Sequence, residues 1–164
     1  MDSNLSASAK RVQDALHGFG LDCKVKELAE STRTAVDAAN AVGCDVGQIV
    51  KSLVFRGKSS GKAVFVVASG ANQVNEKSLA AIVGEKIGKA DADFVREQTG
   101  FAIGGVSPVG HPAPLHTYVD EDLLGYDELW AAAGTPHALF SLTPEQLCLI
   151  TSGEVVNIKK VPAA

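Results

Sequence analysis

Two apolar runs flanking a polar turn constrain this chain more than any other feature. Ile49–Arg56 lies between Gly47 and Gly57, Ala63–Ser69 follows, and Lys58-Ser-Ser-Gly61 separates the two. Short apolar runs bounded by glycine read as strands, and a short polar turn between two of them reads as a hairpin. The second run, Ala-Val-Phe-Val-Val-Ala-Ser, is apolar throughout and is expected at the centre of a sheet. The first run alternates. One face carries Ile49, Lys51, Leu53 and Phe55, the other Val50, Ser52 and Val54. Lys51 is the misfit, because an ammonium on an apolar face is costly unless something polar compensates it. Either Lys51 snorkels to water from the start of the strand, or it lines a pocket and meets a negative or polarised ligand group.

The remaining elements come from periodicity and caps. Ser6–Phe19 reads as an amphipathic helix, and Cys23–Leu28 alternates like a strand. Thr32 or Thr34 caps a helix through Val42, stopped by Gly43. Asn75 caps one through Val83, and Asp91 caps Ala92–Thr99. Thr143-Pro-Glu-Gln146 opens a last helix to about Thr151. Phe101–Gly105 starts as a strand, and Leu115–Val119, Ala138–Leu142 and Val155–Lys159 read as strands. Asp127–Ala133 fits helix or strand. The tail from Val161 to Ala164 is expected to be loose. No regular βαβ rhythm appears, so the expected fold is α+β, a mixed sheet with helices packed around it.

The 164 residues fit one domain, 1–164, with a core of about 6–160. A net charge of −4 argues against binding nucleic acid, DNA included, through a broad basic surface. A local patch gripping one end of a nucleic acid stays open. Cys23, Cys44 and Cys148 are scattered, without Cys-x-x-Cys, which fits a reduced, cytoplasmic protein. The opening Met-Asp-Ser-Asn-Leu lacks the pattern of a signal peptide, and no apolar run approaches the roughly 20 residues of a membrane span.

The loop Gly104-Gly-Val-Ser-Pro-Val-Gly-His111 is the second unusual stretch. Its glycines allow tight backbone geometry, and successive N–H groups there suit a nest for a carbonyl oxygen or carboxylate. A plain turn between strands explains the same composition. His111 is the histidine best placed to face a site, while His17, His116 and His137 read as surface or structural groups. No pair of histidines has metal-ligand spacing on a helix. There is no Gly-x-Ser-x-Gly elbow and no phosphate-binding Gly-x-Gly-x-x-Gly.

Taken in order, Ile49-Val-Lys-Ser-Leu-Val-Phe55, Val67-Ala-Ser-Gly-Ala-Asn72, Gly104–His111, Val119-Asp-Glu-Asp-Leu123 and Ala133-Gly-Thr-Pro-His-Ala-Leu-Phe140 resemble the YbaK/EbsC-like aminoacyl-tRNA deacylases. Those are relatives of the editing domain of bacterial prolyl-tRNA synthetase. The resemblance implies a single domain with a barrel-like mixed sheet. It implies hydrolysis of the ester that joins a wrong amino acid to the terminal adenosine of a tRNA. The substrate would be tRNA-Pro, or a related tRNA, carrying Ala, Ser, Cys or 2-aminobutyrate. It makes Lys51 catalytic, together with the loop Gly105, Val106, Ser107 and Pro108, whose amides hold the aminoacyl group. Substrate contacts fall to Ser52, Ser69, Gly70, Asn72, Gly104 and His111, with pocket walls at Gly134, Thr135 and His137. No metal or cofactor is implied. The implied partners are the 3′ end of an aminoacylated tRNA and an aminoacyl-tRNA synthetase. Two alternatives use the same pocket: a non-catalytic module for tRNA ends or a synthetase, and a hydrolase for a small ester or amide.

Overall fold

The computed structural model describes residues 5–161; residues 1–4 and 162–164, and with them most of the tail, lie outside the described residues. Five helices begin behind side-chain caps, which satisfy backbone N–H groups that a helix leaves free. α1 (Ala7–Gly18) starts at Ser6 and α2 (Ala35–Val42) at Thr34. α3 (Glu76–Val83) starts at Asn75 and α4 (Ala92–Thr99) at Asp91. α5 (Pro144–Thr151) starts at Thr143, in a capping box with Gln146. Thr32, the other candidate cap for α2, is buried instead and donates to Pro136 O at 2.9 Å.

The strands are β1 (Lys26–Glu27), β2 (Ile49–Gly57), β3 (Ala63–Ser69), β4 (Ile87–Lys89), β5 (Thr117–Asp120), β6 (Leu129–Ala132), β7 (Ala138–Leu142) and β8 (Glu154–Val156). They form one mixed sheet in the order β1-β7-β6-β2-β3-β5-β8, with β4 added to β2. The α+β mixed sheet is as expected. Its path stays open, ending on β1 and β8, rather than closing into a barrel. The hairpin is present: β2 and β3 pair antiparallel from Val50↔Ser69 to Arg56↔Ala63. β3 runs between β2 and β5, and Val64–Ser69 are all buried. The ambiguous stretch Asp127–Ala133 is strand over Leu129–Ala132.

Alternation on β2 is also as expected. Val50 and Val54 enter the large core with Phe65, Val67, Val106 and Phe140. Leu53 and Phe55 pack on the opposite face with Val66, Leu79 and Tyr118. Ile49 joins a small cluster under α2 with Ala38, Ala39 and Trp130.

Three expectations need correction. Phe101–Gly105 forms no strand. The Thr99 hydroxyl accepts from Phe101 N at 3.1 Å, so this segment bonds locally instead of laddering. Of Cys23–Leu28 only Lys26–Glu27 pairs, because Gln13 of α1 captures Val25 N and Cys23 O with its side chain, both at 2.8 Å. The last strand shortens to Glu154–Val156, with one isolated bridge from Lys159 to Val74. β4 has too few residues to show a period in the sequence.

Candidate active site

β2 is the longest strand, and its edge away from β3 is shared. β6 pairs parallel with Ile49 and Val50, and β4 pairs antiparallel with Phe55–Gly57. Between them Lys51–Val54 has no strand on that side, so the sheet splits. A groove of about 790 Å³ opens at this split, lined by Lys51, Ser52, Leu53 and Val54 and by the strand ends Ala132 and Lys89. Gly104 and Val106 of the glycine loop form one wall, Arg33–Ala35 another, and Gln73, Val74 and Glu76 a third. Arg33, Lys51, Lys89 and Lys160 line it against the single carboxylate of Glu76. A chain of net charge −4 therefore carries a locally cationic groove.

Lys51 is half-buried, and its ammonium donates to the carbonyl oxygen of Asn72. Burial pushes its pKa down, and the nearby Asp120 carboxylate opposes that shift. The segment that supplies the acceptor is tied in place. Gly70 N donates to Ile49 O at 2.7 Å, Ser69 Oγ donates to Gly47 O at 2.7 Å, and Asn72 N donates to Ser69 O at 2.9 Å. Gly70 is packed so closely that a Cβ there would lie 2.4 Å from Val46 O. The Asn72 side-chain amide donates to Asp120 at 2.9 Å and to Asp122 at 2.8 Å. Asp120 is 1% exposed and also accepts from Ser69 N and Asp122 N, both at 3.0 Å. Asp122 closes the cluster with an ion pair to Lys159 at 3.0 Å. The Asn72 amide, then Lys159, hold the Asp122 carboxyl below its ordinary range.

The glycine loop turns at Gly104, with φ 99°, over the side chain of Arg33. Gly105 is required by another part of the chain. A Cβ there would lie 2.8–2.9 Å from three backbone atoms of Thr135, so the close approach is to the Gly134–Thr135 turn. Ser107 and Pro108 are buried behind the wall, and Ser107 Oγ accepts from Val109 N at 3.2 Å. The amides of Val106 and Ser107 have no acceptor among the described residues. His111 holds the loop's far end: its Nε2 lies 2.8 Å from Ser107 O, and its ring packs edge-on to Phe65 and Phe101. A carbonyl only accepts, so Nε2 carries the proton.

Among the residues singled out in the sequence, the structure gathers Lys51, Ser52, Gly104 and Val106 around the groove. Ser69, Gly70 and Asn72 stand behind Lys51. Gly105, Ser107, Pro108, His111, Gly134 and Thr135 stand behind the loop. His137 is exposed and bonds Glu30 O through Nδ1 at 3.0 Å. In the sequence Asp120 and Asp122 stand out only within the motif Val119–Leu123, and Lys159 only as the end of a strand; none carries a sign of its place behind Lys51. The cations Arg33, Lys89 and Lys160 carry no sign of the groove either. The available signal was an aspartate directly after the apolar Tyr118-Val119 pair.

The fold is thus α+β, an open mixed sheet with a cation-lined groove at its split. The family described as "Aminoacyl-tRNA editing domain" matches residues 29–148, and the chain belongs to it. "Uncharacterized protein YwhH" of Bacillus subtilis (strain 168) is 31% identical over 85% of this chain and 88% of its own length. "Putative Cys-tRNA(Pro)/Cys-tRNA(Cys) deacylase EbsC" of Enterococcus faecalis (strain ATCC 700802 / V583) is 29% identical over 79% of each chain. A crystal structure described as "a putative trans-editing enzyme for prolyl tRNA synthetase" superposes with a TM-score of 0.91. It is 53% identical and covers 96% of this chain and 100% of its own.

Proposed function

We propose that this protein is a free-standing deacylase that hydrolyses the ester of a mischarged tRNA, with tRNA-Pro carrying a small amino acid as its substrate. The observation that carries this reading is Lys51, an ammonium fixed in a cationic groove beside a glycine loop. Ester hydrolysis develops negative charge on the carbonyl oxygen, and fixed N–H donors together with a nearby ammonium stabilise it. The amide of groove-lining Val106 is assigned to the acyl group, with Ser107 behind it. Lys51 supplies the positive charge, either to the developing oxyanion or to the terminal phosphate, where it orients the ester. A ribose hydroxyl of the substrate itself orients the attacking water. Ser52 and Gly104 touch the substrate. Asn72, Ser69 and Gly70 position Lys51, while Gly105, Pro108, His111, Gly134, Thr135 and His137 shape and hold the loop. The prolyl system is favoured by the descriptions of the two relatives that carry a function. The test is amino-acid release from tRNAs charged with Cys, Ala, Ser, Pro and Leu. Release from the small-residue tRNAs supports the reading, and binding without release from any of them overturns it.

A further inference from the structure

Resting on that deacylase reading, we infer that the unpaired main-chain edge of Ser52 reads the adenine base of the substrate's terminal nucleoside. Hydrogen-bond parity along β2 locates the edge. Gly70 N donates to Ile49 O at 2.7 Å and Gly57 N to Lys62 O at 2.9 Å, so odd-numbered residues of β2 bond toward β3. Lys58 N donates to Lys86 O at 2.8 Å, so even-numbered residues bond toward the other edge. On that edge pairing with β6 ends at Val50 and pairing with β4 begins at Phe55. Ser52 falls in the interval, so its N–H and C=O point into the split without a strand partner. Its Oγ is buried and likewise has no hydrogen-bond partner among the described residues. Buried polar groups are seldom left unpaired, and a buried Oγ beside a main-chain donor and acceptor without a strand partner, all on one groove-lining residue, points to a ligand that completes them.

The chemistry selects which part of the substrate. A strand residue offers one donor and one acceptor side by side. Adenine answers with the N6 amino donor beside a ring-nitrogen acceptor. The α-ammonium only donates, phosphates only accept, and the ester carbonyl is already assigned to the loop amide. The N6 amino group donates to Ser52 O, and Ser52 N–H donates to the adjacent ring nitrogen. The ring enters in the plane of the sheet between the ends of β6 and β4. Val54 and Val106 lie on one side of that plane and Leu53 on the other, so both ring faces meet apolar groups. Ser52 Oγ is left for a third polar atom of the same nucleoside.

The experiment uses charged tRNAs whose last residue is adenosine, purine riboside, N6,N6-dimethyladenosine or 3-deazaadenosine. The first two analogues lose the N6 donor, and the third alters only the sugar-side nitrogen. Purine riboside and dimethyladenosine are expected to lower kcat/KM by about tenfold, as for one lost hydrogen bond to a buried group. The 3-deaza substrate is expected to stay within about twofold of adenosine. Equal rates for all four ends would overturn the inference. Ser52→Ala should weaken every substrate alike and keep the discrimination, which the main chain supplies; loss of discrimination in that variant would also overturn it. If no charged tRNA is cleaved at all, the deacylase reading has failed separately. The same four ends on uncharged CCA-type trinucleotides, ranked by binding, then decide the base contact alone.

Discussion

Lys51 shows how one residue carries a functional reading. Its position on an apolar face is visible in the sequence, and the structure leaves it half-buried with Asn72 O as its acceptor. No ion pair is broken by removing it, so Lys51→Ala should keep stability within about 1 kcal/mol. The same variant should lose most deacylation, measured by single-turnover release. Burial pushes the Lys51 pKa down. If the charged form acts, activity must fall as pH rises through that lowered value, earlier than the roughly 10.4 of an ordinary lysine; a profile flat to that pH would count against a catalytic ammonium. Asp120 was hidden. An aspartate between an apolar pair and more acids reads as a turn, and only the fold shows three donors converging on it. Asp120→Ala leaves those donors unpaired and should cost about 2–3 kcal/mol in chemical denaturation, with activity falling as Asn72 loosens. A stability change below about 0.5 kcal/mol would mean the cluster does not hold Lys51.

At the scale of elements, caps and alternation were legible because both are local. Thr34, Asn75, Asp91 and Thr143 each start the helix their residue type announces. Phe101–Gly105 misled because the Thr99 hydroxyl outcompetes a ladder, which apolar content does not reveal. The glycine loop was legible as special, but the reason for Gly105 was not: the neighbour is Thr135, thirty residues on in the sequence. Gly105→Val should therefore displace the Gly134–Thr135 turn and lower both melting temperature and activity; a variant of wild-type stability would contradict that packing. His111 offers a pH test of the same loop. Burial is the main cause that holds its pKa below 6.5, against the Ser107 hydrogen bond, which raises it. The unfolded chain thus binds the proton first as pH falls. The stability tied to neutral His111 is full above about 6.5 and is lost as pH drops toward the folded value. His111→Gln should flatten the change in melting temperature across that window, and an unchanged slope would remove His111 as its source.

Across the whole molecule, an acidic chain concentrates cations where its sheet divides. The sequence total hides this, because Arg33, Lys51, Lys89 and Lys160 are far apart in the chain and meet only through the approach to α2, β2, β4 and the segment after β8 that bonds Gln73. A groove with few cations makes few phosphate contacts. With about three, affinity for a tRNA end should drop roughly tenfold or somewhat more between 50 and 200 mM salt. Lys160→Gln should reduce the slope of log affinity against log salt by about 0.7, and an unchanged slope would place Lys160 outside the RNA path. On the proposed reading the groove's walls sort side chains by size, so small residues should be released and large ones spared. Methylene-sized differences in a pocket are worth only about 1–3 kcal/mol, which makes selection among small residues leaky. The central claim rests on Lys51 acting on an ester in this groove. Single-turnover release from Ala-charged and Leu-charged tRNA-Pro, by wild type and by folded Lys51→Ala, tests it most directly. The expected result is rapid release of Ala by wild type, slow release of Leu, and neither above background in the variant. Equal release of Ala by wild type and variant would contradict it.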